Sequence, residues 1–286
     1  MTNRLYLDYA ATTPVREEVL AAMLPFFSQS GYNASSVHAE GRAAKAALDD
    51  ARERVARVLH CRPKEVVFTG GGSEADTLAI LGTARASVND RKALVSLPTE
   101  HHAVLHALAA AADEGFETRF VPVDRDGLAL PDALAAAIDE RTLLVSVMLA
   151  NNELGVLQPV KTIAQLAHRS GALFHTDAVQ AGQYLDLDVR ELEADLVSLA
   201  AHKFYGPKGT GVLYVREGIA VKPLIHGGSQ EFGKRAGTEN VAAAVGLATA
   251  LELAAAERTE AADRVRSVRD AFEQRVLARI PDVRVN

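Results

Sequence analysis

Hydrophobic and polar positions follow helical and strand-like spacing in turn from about residue 36 to residue 215. Residues 36–60 place Ala, Leu and Val at helical spacing among charged residues, which predicts a long amphipathic helix. The apolar runs that predict short strands are residues 65–69, 93–97, 117–121, 143–149, 172–176, 195–199 and 211–215. Further helical patterns begin at residue 73 and cover residues 102–114, 131–138 and 163–170.

Strands that are joined by helices predict an α/β fold, with a mostly parallel sheet and helices on both faces. The strands are short and nearly unbroken in apolar character, as expected for a sheet buried on both faces. The order of the strands does not follow from the pattern. After Gly237 the pattern predicts two helical segments, at about residues 239–256 and 261–279. Residues 280–286 could begin a strand that nothing pairs, so we expect a cut or disordered boundary there.

Composition narrows the classes of function. Hydrophobic residues make up 48% and charged residues 24%, which is ordinary for a globular protein. The net charge of −6 argues against a nucleic-acid partner, because neutralising phosphates needs clustered Lys and Arg, but it allows a small anionic ligand.

The cysteine content and the lack of a signal-peptide or membrane-spanning pattern predict where the protein is located in the cell. Cys61 is the single cysteine, so no disulfide forms within the chain. The N-terminus lacks a signal-peptide pattern, and the longest apolar-rich stretch, near residues 240–256, contains Glu252 and is too short for a membrane span. We expect a cytoplasmic protein without a membrane partner.

A glycine-rich turn follows the predicted strand at residues 65–69. Gly70, Gly71 and Gly72 let a ligand approach the backbone closely, and the next helix offers free N–H groups at its N-terminus, which suits a phosphate. The alternative is structural: Ser73 and Asp76 form a capping box, and the glycines only make the turn. The turn alone leaves both interpretations open.

Two further candidates follow buried strands. Lys203 could form a Schiff base with an aldehyde cofactor, or it could be a solvated loop residue. Asp177 could pair with the pyridine nitrogen of pyridoxal phosphate, or it could cap the next helix. Ligands of open α/β sheets bind at the carboxyl ends of strands, where both residues fall. With the glycine turn, they point to one cofactor, pyridoxal 5′-phosphate.

Seven stretches carry a more specific signal when they are taken together. They are residues 6–14 (YLDYAATTP), 33–38 (NASSVH), 99–104 (TEHHAV), 151–155 (NNELG), 177–180 (DAVQ), 202–209 (HKFYGPKG) and 235–240 (RAGTEN). In this order along the whole chain, they resemble the NifS/IscS-type cysteine desulfurases. That family belongs to the class V aminotransferase group of fold-type I pyridoxal-phosphate enzymes.

The resemblance implies roles around the cofactor ring. Lys203 would hold the cofactor as a Schiff base and later shuttle protons, and His101 would stack on the ring and assist acid–base steps. Asp177 would pair with the ring nitrogen, while Asn152 and Gln180 would bond on the side of the phenolic oxygen. Without the resemblance, His101 and Asn152 are a loop histidine and a turn asparagine.

The resemblance also implies how the phosphate is held. Gly72, Ser73 and His202 would bind it, and Thr238 would reach the phosphate of the other subunit, which implies a homodimer. No metal site is expected.

The implied reaction converts L-cysteine to L-alanine and passes the sulfur on as a persulfide, to an acceptor protein such as an iron–sulfur scaffold. The implied organisation is a large cofactor-binding domain at residues 14–256. Residues 1–13 and 257–286 would belong to a smaller, incomplete domain.

The sequence departs from the family pattern in three places. Ala200 stands where a phosphate-binding serine is common, and Phe232 stands where an arginine is common. The family's nucleophilic cysteine and its substrate-binding arginine lie on a C-terminal segment that this sequence does not contain. Cys61 is not a substitute for this nucleophilic cysteine. It lies between a predicted helix and a predicted strand, where it fits the role of a small apolar residue.

Two rival functions stay open at this point. One is another class V lyase or aminotransferase that acts on a different amino acid, against which the stretch at residues 235–240 argues by similarity. The other is a non-catalytic fragment that dimerises or binds a sulfur-transfer partner.

Overall fold

The computed structural model describes residues 5–88 and 90–285 of the chain. Its strands are β1 (Val66–Thr69), β2 (Ala93–Ser96), β3 (Glu117–Phe120), β4 (Thr142–Ser146), β5 (Leu173–Asp177), β6 (Leu196–Ala200) and β7 (Gly211–Val215). Its helices are α1 (Glu17–Met23), α2 (Ala39–Val58), α3 (Gly72–Thr77), α4 (Thr83–Ala86), α5 (His102–Asp113), α6 (Pro131–Ala137), α7 (Val160–Arg169) and α8 (Val241–Arg279). A π-helical segment, Leu78–Gly82, joins α3 to α4.

The seven strands form one sheet in the order β1-β7-β6-β5-β4-β2-β3. Strand β7 is antiparallel to both of its neighbours, and the other pairings are parallel, so the predicted mostly parallel sheet is confirmed. Because β1 and β6 both run opposite to β7, the carboxyl ends of β1, β5 and β6 lie at the same edge. The segments that follow these strands are therefore brought together.

Alternate strand residues enter two apolar cores, one on each face of the sheet. In β1, for example, Val66 and Phe68 enter one core and Val67 enters the other. The first core is covered by α2, α7 and α8, and the second by α3 and α5. This alternation confirms that helices lie on both faces, because neighbouring strand residues point in opposite directions.

Three features differ from the predictions. Strand β3 lies at the edge of the sheet and is partly exposed rather than buried on both faces. Helix α1 was not predicted. The two predicted C-terminal helices are one continuous helix, α8, because residues 257–260 (ERTE) contain neither glycine nor proline to end it.

The C-terminal end of the described chain forms no strand at residues 280–285, and Asn286 lies outside the described residues. None of the helices within residues 5–88 and 90–285 is long and apolar enough to cross a membrane.

Candidate active site

A cavity of about 600 Å³ opens at the carboxyl edge of the sheet. Its wall contains every predicted site residue except Thr238, and these are Gly72, Ser73, His101, Asn152, Asp177, Gln180, His202 and Lys203. The fold brings them together because β1, β5 and β6 all end at this edge. The position agrees with the rule that open α/β sheets bind ligands there.

Lys203 lies on the cavity wall, in the short 3₁₀ turn that follows β6. Its Nζ donates hydrogen bonds to the carbonyl oxygens of Ala10 (2.5 Å) and Ala11 (2.9 Å). Burial lowers the pKa of the Lys203 amine, and the carboxylates of Asp177 and Asp8 act in the opposite direction. Lys203 is therefore not simply a solvated loop residue. A lysine amine with a lowered pKa is more often neutral, as attack on an aldehyde requires.

An N-terminal segment fixes the backbone on both sides of Lys203. The Thr13 backbone N–H and hydroxyl both donate to the carbonyl oxygen of His202 (2.9 Å each), and the Tyr205 N–H donates to the Thr13 hydroxyl (2.8 Å). The Thr12 hydroxyl lies 3.1 Å from Nδ1 of His202. These bonds hold the lysine turn in one conformation, and they join parts of the chain that are 190 residues apart.

Asp177 is the last residue of β5 and is 4% exposed. Its Oδ1 accepts a hydrogen bond from the Val179 N–H (2.8 Å). Burial raises the pKa of the Asp177 carboxyl, while this bond and the charges of His101 and Lys203 oppose the rise. The chain continues in turns and forms no α-helix over residues 178–195, so the helix-capping alternative is wrong.

The glycine turn leads directly into α3. Gly71 is the N-cap and no side chain caps the helix, so the capping-box alternative for Ser73 and Asp76 is wrong. Gly71 has a φ of +150°, and no atom lies within 4 Å of the position that a Cβ would take. A Cβ on Gly72 would meet Cγ2 of Val179 at 2.8 Å. The turn thus combines open space at Gly71 with close packing at Gly72.

A salt bridge holds this turn against a distant loop. The Gly70 N–H donates to Oε2 of Glu74 (2.7 Å), and Arg235 Nε donates to Oε1 of the same carboxylate (2.9 Å). Thr238, on the Arg235 loop, lines a separate cavity of about 200 Å³. It is the predicted site residue that the fold does not bring to the larger cavity.

His101 and Asn152 face the cavity from adjacent turns. His101 is the N-cap of α5, where its Nδ1 accepts a backbone N–H bond, which leaves Nε2 as the protonated nitrogen of the neutral ring. The Asn152 amide donates to the Glu153 carboxylate (3.1 Å). The buried Asn151 joins the two turns, because its Nδ2 donates to the carbonyl oxygen of Thr99 (2.8 Å).

Sequence reasoning missed two buried acids beside the cavity. Asp76 is 1% exposed, and its Oδ1 has no hydrogen-bond partner among the described residues. Glu100 is 6% exposed, and it accepts a bond from the Met148 N–H (2.8 Å) through only one oxygen. A signal for Asp76 was available: it follows Gly72 by four residues, which places both on one face of a helix.

Ala200 and Phe232, the two departures from the family pattern within the described residues, each have a structural explanation. Ala200 ends β6 on the cavity wall and offers no polar side-chain atom there. The ring centroid of Phe232 lies 4.9 Å from the guanidinium carbon of Arg52, which is ion-paired to Glu231 (2.7 Å). The side chain at position 232 therefore packs on a cation instead of supplying one.

Cys61 does not line the cavity. It is half-buried and packs against the first apolar core. Burial raises the pKa of the Cys61 thiol to about 12, so very little thiolate exists at neutral pH.

Comparison with known proteins gives a consistent result over the whole chain. The family model for aminotransferase class V matches residues 5–286. A cysteine desulfurase IscS of Dictyoglomus turgidum is 46% identical over 286 residues, which are 100% of this chain and 73% of that protein. A solved NifS-like protein superposes with a TM-score of 0.92 at 38% identity, covering 95% of this chain and 75% of that chain. The structure of SspA in complex with cysteine superposes with a TM-score of 0.84 at 41% identity, covering 87% of this chain and 72% of that chain.

Proposed function

The chain belongs to the aminotransferase class V family and, within it, to the cysteine desulfurases, and we propose that it converts L-cysteine to L-alanine with pyridoxal 5′-phosphate as its cofactor. The observation that carries the proposal is one cavity wall that joins Lys203, Asp177 and the glycine turn. These are the three kinds of group that an aldehyde, a pyridine nitrogen and a phosphate need.

The residues present fit this cofactor. Open space beside Gly71 leaves room for a phosphate, and it belongs to a second cavity of about 420 Å³, whose wall also holds Ser73 and His202 as hydrogen-bond donors. Asp177 is a buried carboxyl beside the cavity, suited to a protonated ring nitrogen. Lys203 has an amine of lowered pKa on the same wall. The donor set therefore matches the chemical groups of pyridoxal phosphate one by one.

When bound, pyridoxal phosphate supplies an electron sink for charge that develops on the substrate's carbon atoms. Asp177 would keep a proton on the ring nitrogen, and Asn152 and Gln180 would bond on the side of the phenolic oxygen. Lys203 would hold the cofactor and move a proton at the substrate's α-carbon, and His101 would assist through Nε2.

The reaction transfers one sulfur atom. The carbon–sulfur bond of L-cysteine breaks, an acceptor thiol takes the sulfur to become a persulfide, and the substrate carbon gains a proton to give L-alanine. Because the pKa of Cys61 is raised to about 12 and it lies outside the cavity wall, we assign the acceptor thiol elsewhere. A sulfur-acceptor protein, such as an iron–sulfur scaffold, would then take the sulfur from that thiol.

Two features of organisation belong to the same proposal. The position of Thr238 outside the cavity fits a role at the partner's phosphate in a homodimer. We also propose that residues 1–13 and 257–286 belong to a smaller domain beside the domain at residues 14–256. The exposed apolar side chains of Val268 and Phe272 in the second half of α8 support this division.

The test is formation of L-alanine from L-cysteine, with added pyridoxal phosphate and a small-molecule thiol as sulfur acceptor. We expect the wild-type chain to form alanine, Lys203→Ala to form none, and Lys161→Ala, which removes an exposed lysine of α7 outside the cavity wall, to retain activity. Equal alanine formation by wild type and Lys203→Ala would contradict the proposal.

A further inference from the structure

Asp76 lies beneath the cavity and has an oxygen without a partner. It belongs to α3, is 1% exposed and lines the same cavity as Asp177. Polar atoms of Asp76, His101 and Asp177 all lie within 4.8 Å of one another. Oδ1 of Asp76 accepts no hydrogen bond from the described residues, and the nearby Ser198 hydroxyl, which bonds to Nε2 of His175 (3.0 Å), acts to lower the pKa of this carboxyl.

The groups around Asp76 do not supply a bonded cation. Two of them are acids, Asp177 from β5 and Glu100 from the segment before α5, and both raise the pKa of Asp76. Nε2 of His175 lies 3.7 Å from Oδ1 of Asp76, but burial lowers the pKa of this histidine to about 3, so it is neutral. His175 also has its ring nitrogens engaged, by the Ser146 hydroxyl (2.8 Å) and the Ser198 hydroxyl (3.0 Å).

Two side chains of the cavity wall act on the neighbouring acid through positive charge, His101 only when both of its ring nitrogens are protonated and Lys203 as an ammonium. His101 and Lys203 lower the pKa of Asp177, which also accepts the Val179 N–H bond. Asp76 has neither a backbone N–H donor nor a cation in hydrogen-bond contact. The pair is therefore asymmetric: Asp177 has a backbone N–H donor and nearby positive charge to favour its ionised form, whereas Asp76 has only the Ser198 hydroxyl.

We propose that Asp76 is a positioning residue that stays protonated at neutral pH, so that Asp177 alone carries negative charge beneath the cavity. This rests on the proposed function, in which Asp177 faces the ring nitrogen. Burial and the neighbouring Asp177 together raise the pKa of Asp76 well above its usual range. A second negative charge at this place would raise the pKa of Asp177 and favour its protonated form, which would remove the charge that pairs with the ring nitrogen.

Infrared spectroscopy of the cofactor-free protein tests the protonation of Asp76 directly. We expect wild type at neutral pH to show the carbonyl stretch of a protonated carboxyl, shifted in D₂O, and Asp76→Asn to lose that component. Glu100→Gln, the matched control, should keep the Asp76 component. Identical carboxyl bands in wild type and Asp76→Asn would overturn the proposal.

A second measurement tests the effect on the cofactor. Because asparagine has the shape and charge of a protonated aspartate, Asp76→Asn should bind pyridoxal phosphate within about threefold of wild type, with the same pH dependence of the cofactor's absorbance. A shifted pH dependence would overturn the inference. If the infrared component of Asp76 is found but no cofactor binds, the proposed function fails and the protonation of Asp76 stands.

Discussion

Two buried regions of this molecule contain acidic side chains, and they differ in how the negative charge is balanced. Glu231 is 6% exposed, and its oxygens accept bonds from Arg52 (2.7 Å) and from the Phe68 N–H (2.8 Å). Asp177 and Asp76 are equally buried, but they form no ion pair shorter than 4.0 Å with Lys or Arg among the described residues, and they line a cavity. An acid that stabilises the fold finds its partners inside the chain. A buried acid that binds a ligand has no cationic partner in the chain, so that the ligand can take that place.

The largest expected effect comes from removing the ion pair that balances the charge of the buried Glu231. Arg52→Met would leave the buried Glu231 without its cation, which should lower the free energy of unfolding by about 3–5 kcal/mol. Urea denaturation measures this loss. Lys45→Met, which removes the exposed pair with Asp49, is the control and should cost at most about 1 kcal/mol. Equal losses for the two variants would remove the distinction that we draw.

Unlike Arg52→Met, Asp177→Asn should lower activity rather than stability. Turnover of L-cysteine should fall at least about a hundredfold, because the amide cannot keep the ring nitrogen protonated. The free energy of unfolding without cofactor should stay equal or rise by about 1 kcal/mol, because a buried acid becomes a neutral amide. Alanine formation and urea denaturation measure the two sides. A variant that keeps its activity and loses stability would assign Asp177 to the fold.

The pH dependence of stability should separate the two regions further. The folded-state pKa of Asp76 is raised by burial and by Asp177, so its contribution to stability is present below the ordinary pKa of about 4 and is lost as the pH rises through the folded pKa. Relative to Asp76→Asn, wild type should therefore lose unfolding free energy as the pH rises above about 4, by up to about 1.4 kcal/mol per pH unit until the folded pKa of Asp76 is reached. Thermal or urea unfolding at several pH values should show a smaller loss for Asp76→Asn. A steeper loss in the variant would contradict this assignment.

The smallest effect concerns a polar group that the cavity wall lacks. Ala200→Ser would place a hydroxyl beside the glycine turn, where it could donate one hydrogen bond to a phosphate. One such bond contributes about 1 kcal/mol, so pyridoxal phosphate should bind about fivefold more tightly. Pyridoxal, which has no phosphate, is the control ligand and should bind both proteins equally. An equal gain for both ligands would place the new contact away from the phosphate.

Much of the fold could be predicted from the sequence. The apolar runs of β1, β4 and β6 and the helical spacing between them were sufficient for an α/β fold with a mostly parallel sheet. The edge position of β3 was not predictable, because it depends on which strand pairs with which. The continuity of α8 was not predicted, although residues 257–260, between the two predicted segments, contain no helix-breaking residue.

The candidate site was predictable where a residue directly follows a strand. Asp177 at the end of β5 and Lys203 in the turn after β6 were placed at the cavity edge by this reasoning. The contacts of Thr12 and Thr13 with the lysine turn were not, because hydrogen bonds across 190 residues leave no local pattern. The open space at Gly71 and the unpartnered oxygen of Asp76 are likewise products of packing, which periodicity does not report.

Borohydride reduction followed by peptide mass spectrometry tests the central claim, that Lys203 anchors pyridoxal phosphate in this cavity. Reduction turns a lysine–aldehyde linkage into a stable adduct on the side chain. We predict one reduced pyridoxal phosphate adduct, on the peptide that contains Lys203, and none at Lys208 in the same loop. No adduct in the presence of saturating cofactor, or an adduct on a lysine outside the cavity wall, would contradict the account.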